Sequence, residues 1–203
     1  MLLPRLLAVL SATALLTGCA GSIPLTPAAS ALPTTPAPAE ALPAGTFAGT
    51  FLPATEGEAA ITYNPAVVPA GATARLTITK TPNGATVRLS VTGMVPRRAY
   101  GAHLHTDPCT GAPAAAGPHY QHVHDPASPP SGDPGYANPR NEVWLDFTAD
   151  AAGVGSAAAV QGWSFDETRP PRSLIVHAEV TRTERGVAGM AGPRVACLTL
   201  APR

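Results

Sequence analysis

The chain has 203 residues, which is enough for one ordinary domain with appendages, and only 13% of the residues are charged. Thirteen Lys and Arg residues balance thirteen Asp and Glu residues, and neither a basic stripe nor an acidic run occurs. The composition therefore gives no electrostatic footprint for nucleic acid, and we expect no nucleic-acid partner.

Residues 1–18 have the layout of a secretory signal peptide. Arg5 precedes a short apolar run and small residues, and the run is too short for a membrane span. The sequence LTGC at positions 16–19 resembles the bacterial lipobox, which implies cleavage before Cys19 and lipidation of that cysteine. A plain signal peptide with a chance cysteine is the alternative. We expect an exported protein that is lipid-anchored at the extracytoplasmic face of the cell membrane.

Residues 19–46 are predicted to form a tether. The segment consists mainly of Ala, Pro, Ser and Thr, carries one charge and lacks aromatic residues, so it cannot bury enough apolar surface to fold. Its prolines favour an extended chain. The first aromatic residue is Phe47, and we expect a folded domain over residues 47–203.

The sequence after Phe47 alternates apolar and polar residues with a period of two, which predicts strands. The predicted strands lie in AAITYN, ATARLTITK, ATVRLSV, RAYGAHLHT, NEVWLDFTAD, SLIVHAEV and RVACLTL. Tight hairpin turns are predicted at residues 81–84 (TPNG) and 151–153 (AAG). About eight strands predict an all-β, antiparallel sandwich or flattened barrel.

Some 35 residues between Thr106 and Asn141 are too many for a hairpin connection. The segment is rich in Pro, Gly and Ala, and it contains His119, His122 and His124. Long loops in compact domains are usually functional or disordered. The histidines favour a functional loop.

Three cysteines limit the disulfide chemistry. If Cys19 carries lipid, Cys109 and Cys197 form the only intrachain pair, and an exported chain permits such a bond. Cys109 and Cys197 are 88 residues apart. Closing a loop of this length with a disulfide stabilises a fold by roughly 4 to 5 kcal/mol in the chain-entropy model. Two buried free thiols are the alternative.

The motif GAHLHTDPC at residues 101–109 places two histidines one residue apart in a predicted strand. Because side chains alternate faces along a strand, His103 and His105 leave the same face. All six histidines lie between positions 103 and 177. Such a density of imidazoles suits copper or zinc, and the predicted metal-binding set is His103, His105, His119 and His177.

Five motifs occur in the order found in the copper/zinc superoxide dismutase family. They are GAHLHTDPC, GPHYQH, TADAAGVGSA, SLIVHAE and AGPRVAC. Residues 59–201 resemble that family as a whole. The resemblance implies an eight-stranded antiparallel Greek-key β-barrel or sandwich with a long metal-site loop.

The resemblance also implies the roles of the site residues. His103, His105 and His177 resemble the family's copper ligands, and His119 resembles the histidine that bridges copper to zinc. Arg194 resembles the guanidinium that attracts superoxide, and Cys109 and Cys197 match the family's disulfide. The implied activity is a ping-pong dismutation of superoxide into O₂ and hydrogen peroxide, in which His119 and Arg194 are the catalytic residues.

The chain departs from the family at the residues of the zinc site. Residues 140–143 read RNEV where the family carries a zinc histidine and aspartate, so we expect copper without zinc at the usual site. A substitute zinc site remains open, and its candidate ligands are His122, His124, Asp125 and Asp133. In place of zinc, Glu142 or Asp146 is expected to orient the ring of His119.

Two functions from different classes fit these residues. The first is a copper-dependent superoxide dismutase at the outer cell surface, with superoxide as its substrate. The second is a non-catalytic copper-buffering lipoprotein, which would have no need of an anion guide such as Arg194. The loop at residues 178–193 lacks a charge-rich insert, so Arg182 and Arg185 are its only candidates for steering superoxide. A homodimer through exposed strand faces remains open.

Overall fold

The computed structural model describes residues 44–54, 59–127 and 130–200 and confirms an all-β fold. Within these ranges the single helix is one turn of 3₁₀ helix, Pro113–Ala116, and no helix is long and apolar enough to cross a membrane. The predicted signal peptide, Cys19 and most of the predicted tether lie outside the described residues.

The described strands form two sheets. In chain order they are β1 (Gly45–Thr50), β2 (Leu52–Pro53), β3 (Ala60–Thr62), β4 (Thr73–Thr81), β5 (Gly84–Thr92), β6 (Ala99–His105), β7 (Phe147–Thr148), β8 (Gly155–Gln161), β9 (Ser173–His177) and β10 (Arg194–Thr199). One sheet has the order β1-β4-β5-β8, and the other has the order β2-β3-β10-β9-β6-β7. β2 and β7 have two residues each, and the other eight described strands have three to nine residues. One pairing, β2 with β3, is parallel rather than antiparallel.

Alternation along the strands builds the core between the two sheets. In β4 the side chains of Leu76 and Ile78 are buried, whereas Arg75 is exposed. Each fully buried aliphatic side chain stabilises the fold by about 1.5 to 3 kcal/mol, because its apolar surface is removed from water. The predicted turn at residues 81–84 is confirmed, since Thr81 pairs with Gly84 at the end of the β4–β5 ladder.

Two sequence predictions on the segment 141–153 are wrong in part. The turn at residues 151–153 does not close a hairpin, because β7 pairs with β6 while β8 pairs with β5 in the other sheet. In the predicted strand 141–150 only Phe147–Thr148 forms a ladder. The residues before Phe147 pair with two different segments. Trp144 bridges to His103 in β6, whereas Glu142 bridges to Gln121 in the long loop. No single neighbouring strand is therefore available to them.

A disulfide ties the long loop to the second sheet. Cys109 and Cys197 are bonded, with an S–S distance of 2.01 Å and a Cα–Cα distance of 5.7 Å, so the free-thiol alternative is wrong. Cys197 lies in β10, and the backbone N–H of Cys109 donates to Thr199 Oγ1. The start of the loop is thereby held against β10.

Candidate metal centre

Four histidines converge on the face of the second sheet that points away from the core. His103 and His105 come from β6, His177 ends β9, and His119 lies in the long loop. One ring nitrogen from each residue belongs to a group whose atoms all lie within 4.8 Å of one another. The predicted set is therefore brought together.

Strand geometry places three of these rings. His103 and His105 leave one face of β6, while Ala102 and Leu104 enter the hydrophobic core on the other. The pairing of β6 with β9 puts Gly101 opposite His177, which brings the third ring beside the first two. The fourth ring arrives because the long loop runs antiparallel to the end of β6, where His119 bridges to His105.

Backbone carbonyls fix two of the rings. Nδ1 of His105 donates to the carbonyl of Gly117 at 3.0 Å, and Nδ1 of His177 donates to the carbonyl of Gly192 at 3.1 Å. Gly117 has a φ of +73°, and a Cβ there would collide with Asp107 and Thr106, so only glycine suits this turn. In both histidines Nε2 is left as the bare nitrogen.

The other two rings are held by side chains. Nε2 of His103 lies 2.6 Å from Thr181 Oγ1, and Nδ1 of His119 lies 2.8 Å from Glu142 Oε2. Each ring is thus anchored through one nitrogen. Nδ1 of His103 and Nε2 of His119 are the nitrogens that remain for a ligand.

Three of the bare nitrogens are buried without a hydrogen-bond partner: His103 Nδ1, His105 Nε2 and His177 Nε2. Buried polar atoms are nearly always satisfied, so three together at one point indicate a missing partner. Neutral imidazole nitrogens are good ligands for copper and zinc. The residues present therefore fit a metal of this kind.

Burial keeps these histidines neutral. It lowers the pKa of both His103 and His105 well below the usual value for histidine, and the neighbouring ring of His119 lowers it further. Burial likewise lowers the pKa of His177 to about 4. Near pH 7 all three rings retain the lone pair that a metal requires.

Glu142 occupies the side of His119 that faces away from the other rings. Its Oε2 accepts from His119 Nδ1 and from Trp144 Nε1, at 2.8 and 2.7 Å, and its Oε1 accepts from Gln121 Nε2 at 2.8 Å. Only 2% of its side chain is exposed. Of the two carboxylates considered from the sequence, Glu142 therefore holds the ring of His119, whereas Asp146 lies near His103.

Two of the candidate substitute zinc ligands, Asp125 and His122, have other partners. The carboxylate of Asp125 accepts from the backbone N–H groups of Ala127 and Ser131 and from the hydroxyl of Ser131. His122 stacks on Trp163, with the two ring centroids 4.9 Å apart. Among the described residues, the only metal-ligating group of three or more His, Cys, Asp or Glu residues is the four-histidine cluster, which includes neither His122, His124, Asp125 nor Asp133.

Arg194 lies beside the cluster at the start of β10. Its guanidinium donates to the carbonyls of Pro113, Ala114 and Gly117, the last at 2.7 Å. In the described part of the chain it forms no ion pair, whereas Arg182 and Arg185 contact Glu179 and Asp133. The positive charge of Arg194 is therefore less neutralised than the charges of Arg182 and Arg185.

A pocket of about 390 Å³ opens above the histidines. Its lining includes His119, His177, Met190 and Arg194. His103 and His105 are fully buried beneath it, while 18% of the His119 side chain is exposed. The pocket thus exposes part of His119 to solvent beside the permanent cation of Arg194.

Sequence reasoning missed several residues of this site. Thr181, Trp144 and Gln121 anchor ligating rings or their carboxylate partner, and the carbonyls of Gly117 and Gly192 hold two more. No family motif includes Thr181 or Trp144, and Gln121 lies within GPHYQH without a role assigned to it from the sequence. The glycines do lie within the motifs GPHYQH and AGPRVAC, but a carbonyl's role leaves no side-chain signal.

Comparison with known proteins adds a family match. Residues 72–199 match the family model described as copper/zinc superoxide dismutase. Among solved structures, a Cu/Zn superoxide dismutase from Brucella abortus is 20% identical with a TM-score of 0.49, covering 77% of this chain and 97% of that one. A double mutant of a SOD-like protein from Bacillus subtilis is 14% identical with a TM-score of 0.49, covering 63% and 88%. No curated protein sequence matches the chain.

Proposed function

The chain belongs to the copper/zinc superoxide dismutase family, and on that premise we propose that it is a copper-dependent superoxide dismutase. The observation that carries the proposal is the convergence of three buried, unpartnered ring nitrogens with the free nitrogen of His119. Four imidazoles are a ligand set that supports both oxidation states of copper.

When bound, copper supplies the one-electron chemistry that oxidises one superoxide to O₂ and reduces a second, with two protons, to hydrogen peroxide. His103, His105, His119 and His177 would hold it through Nδ1, Nε2, Nε2 and Nε2. The bare Nε2 of His119 would also take up a proton from the pocket and deliver it to superoxide when it is not holding the metal, since this ring alone of the four is appreciably open to the pocket. Glu142 keeps the ring oriented through Nδ1 during turnover.

Arg194 would attract and orient superoxide. It lines the pocket, and its planar guanidinium is held by three backbone carbonyls rather than by a carboxylate. A copper-buffering protein has no use for such a cation. Arg194 therefore favours catalysis over copper storage.

We propose that copper suffices without zinc. The nitrogen of His119 that would face a second metal is hydrogen-bonded to the buried carboxylate of Glu142. Glu142, Trp144 and Gln121 together occupy that side of the ring with satisfied hydrogen bonds. This network supplies the orientation that a zinc ion would otherwise provide.

We also propose that the protein is exported and anchored to the cell membrane through lipid on Cys19, at the extracytoplasmic face. The disulfide supports export, because such bonds persist in oxidising compartments. Replacing Cys19 by Ala should move the protein from the membrane fraction to the soluble fraction. Retention in the membrane would show that the anchor is something else.

The test of the activity combines copper content with superoxide turnover on the purified full chain. The parent should bind one copper per chain and dismutate superoxide, and His103→Ala and His177→Ala should lose both properties. His122→Ala is the matched control, since this exposed ring lies outside the cluster. Full copper occupancy in both cluster variants would overturn the ligand assignment, and copper-loaded parent without turnover would overturn the activity.

A further inference from the structure

We infer that Thr181 and Asp146 form a hydrogen-bonded relay that fixes the protonated nitrogen and the orientation of His103. Thr181 Oγ1 lies 2.6 Å from His103 Nε2 and 2.6 Å from Asp146 Oδ1. The inference rests on the proposed role of the histidines as copper ligands. Neither Thr181 nor Asp146 belongs to that ligand set, so both are positioning residues.

The direction of each hydrogen bond follows from Asp146. Its carboxylate receives three donors: the Thr181 hydroxyl, the backbone N–H of Thr181 at 2.7 Å and the backbone N–H of Ala102 at 3.3 Å. A carboxylate has no proton to give, so the single hydroxyl proton of Thr181 points to Asp146. The hydroxyl oxygen is then an acceptor for Nε2–H of His103. Nδ1 must be the bare nitrogen of this ring.

This polarity matches what the cluster requires. Nδ1 of His103 is one of the three buried nitrogens without a partner, so the relay leaves the lone pair on the atom that points into the cluster. His105 and His177 are fixed by backbone carbonyls instead. Of the three histidines on β6 and β9, only His103 therefore depends on a side chain for its protonation pattern.

The relay also connects the ligand to the pocket wall. Thr181 lies in the loop between β9 and β10, which lines the pocket with Met190 and Ala191. The loop can approach β6 because Gly101 lacks a side chain: a Cβ there would lie 2.7 Å from the carbonyl of Glu179 and 3.2 Å from Thr181 Oγ1. Asp146 then binds the loop at both the backbone and the hydroxyl of Thr181.

The test uses the full chain purified without copper and labelled with ¹⁵N. NMR should detect a protected proton on Nε2 of His103 in the parent and in Thr181→Ser, which keeps the hydroxyl. Thr181→Val, which is nearly isosteric, should lose this protected proton and bind copper about 10- to 100-fold more weakly, as expected when an outer partner of a ligand is removed. Thr183→Val is the matched control on the same loop, since Thr183 is exposed, and it should resemble the parent.

The Nδ1 protons of His105 and His177 serve as an internal control for folding, because their carbonyl partners are untouched by the substitution. The relay is overturned if the parent carries no proton on Nε2 of His103, if Thr181→Val keeps both the protected proton and the parental copper affinity, or if Thr181→Ser is as defective as Thr181→Val. It is also overturned as a positioning device if the proton is lost without a change in affinity. The NMR readout needs neither copper nor superoxide, so failure of the relay is distinguishable from failure of the proposed activity.

Discussion

The two halves of the metal centre are built by different means. His103, His105 and His177 stand on paired strands, where alternation and register fix their positions, and they are almost completely buried. His119 stands on a long loop and is held by a disulfide at the start of that loop, by a bridge to His105 and by Glu142. Paired strands position and bury metal ligands through their register. A loop needs several separate contacts to hold one ligand at the edge of a pocket.

The strand-borne half should dominate the response of the metal-free protein to pH. Burial depresses the pKa of its three histidines, so between about pH 6.5 and pH 4 the unfolded chain binds protons that the folded chain excludes. The free energy of unfolding should therefore fall as the pH falls through this window, by up to about 1.4 kcal/mol per pH unit for each histidine. Urea unfolding of the copper-free chain at several pH values measures this slope.

The control for this slope is the exposed His122. His177→Ala should flatten the dependence on pH, while His122→Ala should leave it unchanged. Equal slopes in the parent and in His177→Ala would contradict the view that the buried rings carry the effect.

The loop-borne half should be the part that loosens when its disulfide is removed. Replacing Cys109 and Cys197 together by Ala opens a cross-link spanning 88 residues, which should lower the free energy of unfolding by about 4 to 5 kcal/mol. The carbonyl of Gly117, which orients both His105 and Arg194, should also lose its fixed position. Urea unfolding measures the first effect, and copper titration measures the second. A free energy of unfolding and a copper affinity equal to those of the parent would show that the disulfide does not hold the loop-borne half in place.

Glu142→Gln tests the anchor of His119 without changing its size. A glutamine amide offers only one acceptor oxygen, so the three donors from His119, Trp144 and Gln121 cannot all be satisfied. Copper affinity should fall about 10- to 100-fold, by analogy with other partners of metal-bound histidines. Glu167→Gln is the matched control, because Glu167 is exposed and pairs only with Lys80 in the described structure. Equal copper affinities in the two variants would show that Glu142 does not anchor His119 for metal binding.

Arg194→Ala sharpens the comparison at the pocket, where the effect should be smallest. Copper content should stay intact, while the second-order rate with superoxide falls roughly five- to fiftyfold, as expected for the loss of one partly exposed charge. Arg194→Lys should keep part of the rate, because it retains the charge without the planar fork. Arg182→Ala, in which the replaced cation already pairs with Glu179, should change the rate less. A parental rate for Arg194→Ala across a salt series would favour copper storage instead.

In the strand-borne half, the shared face of His103 and His105 was predictable from the sequence because its signal is local. A period of two placed His103 and His105 on one face, and the hairpin at residues 81–84 has its own turn residues. Glu142 and Thr181 were harder to assign, since their roles depend on how two distant loops fold back over β6. The segment 141–150 shows the same limit: its alternation predicted a strand, but its partners are divided between β6 and the long loop.

The most direct test of the whole account is the turnover of superoxide by the full chain reconstituted with copper alone. With one copper per chain and no zinc, the rate should equal that of protein given both metals, because Glu142 already orients His119. A rate that rises only when zinc is added would contradict this role of Glu142. A chain that holds one copper and yet leaves superoxide untouched, with or without zinc, would contradict the proposed activity itself.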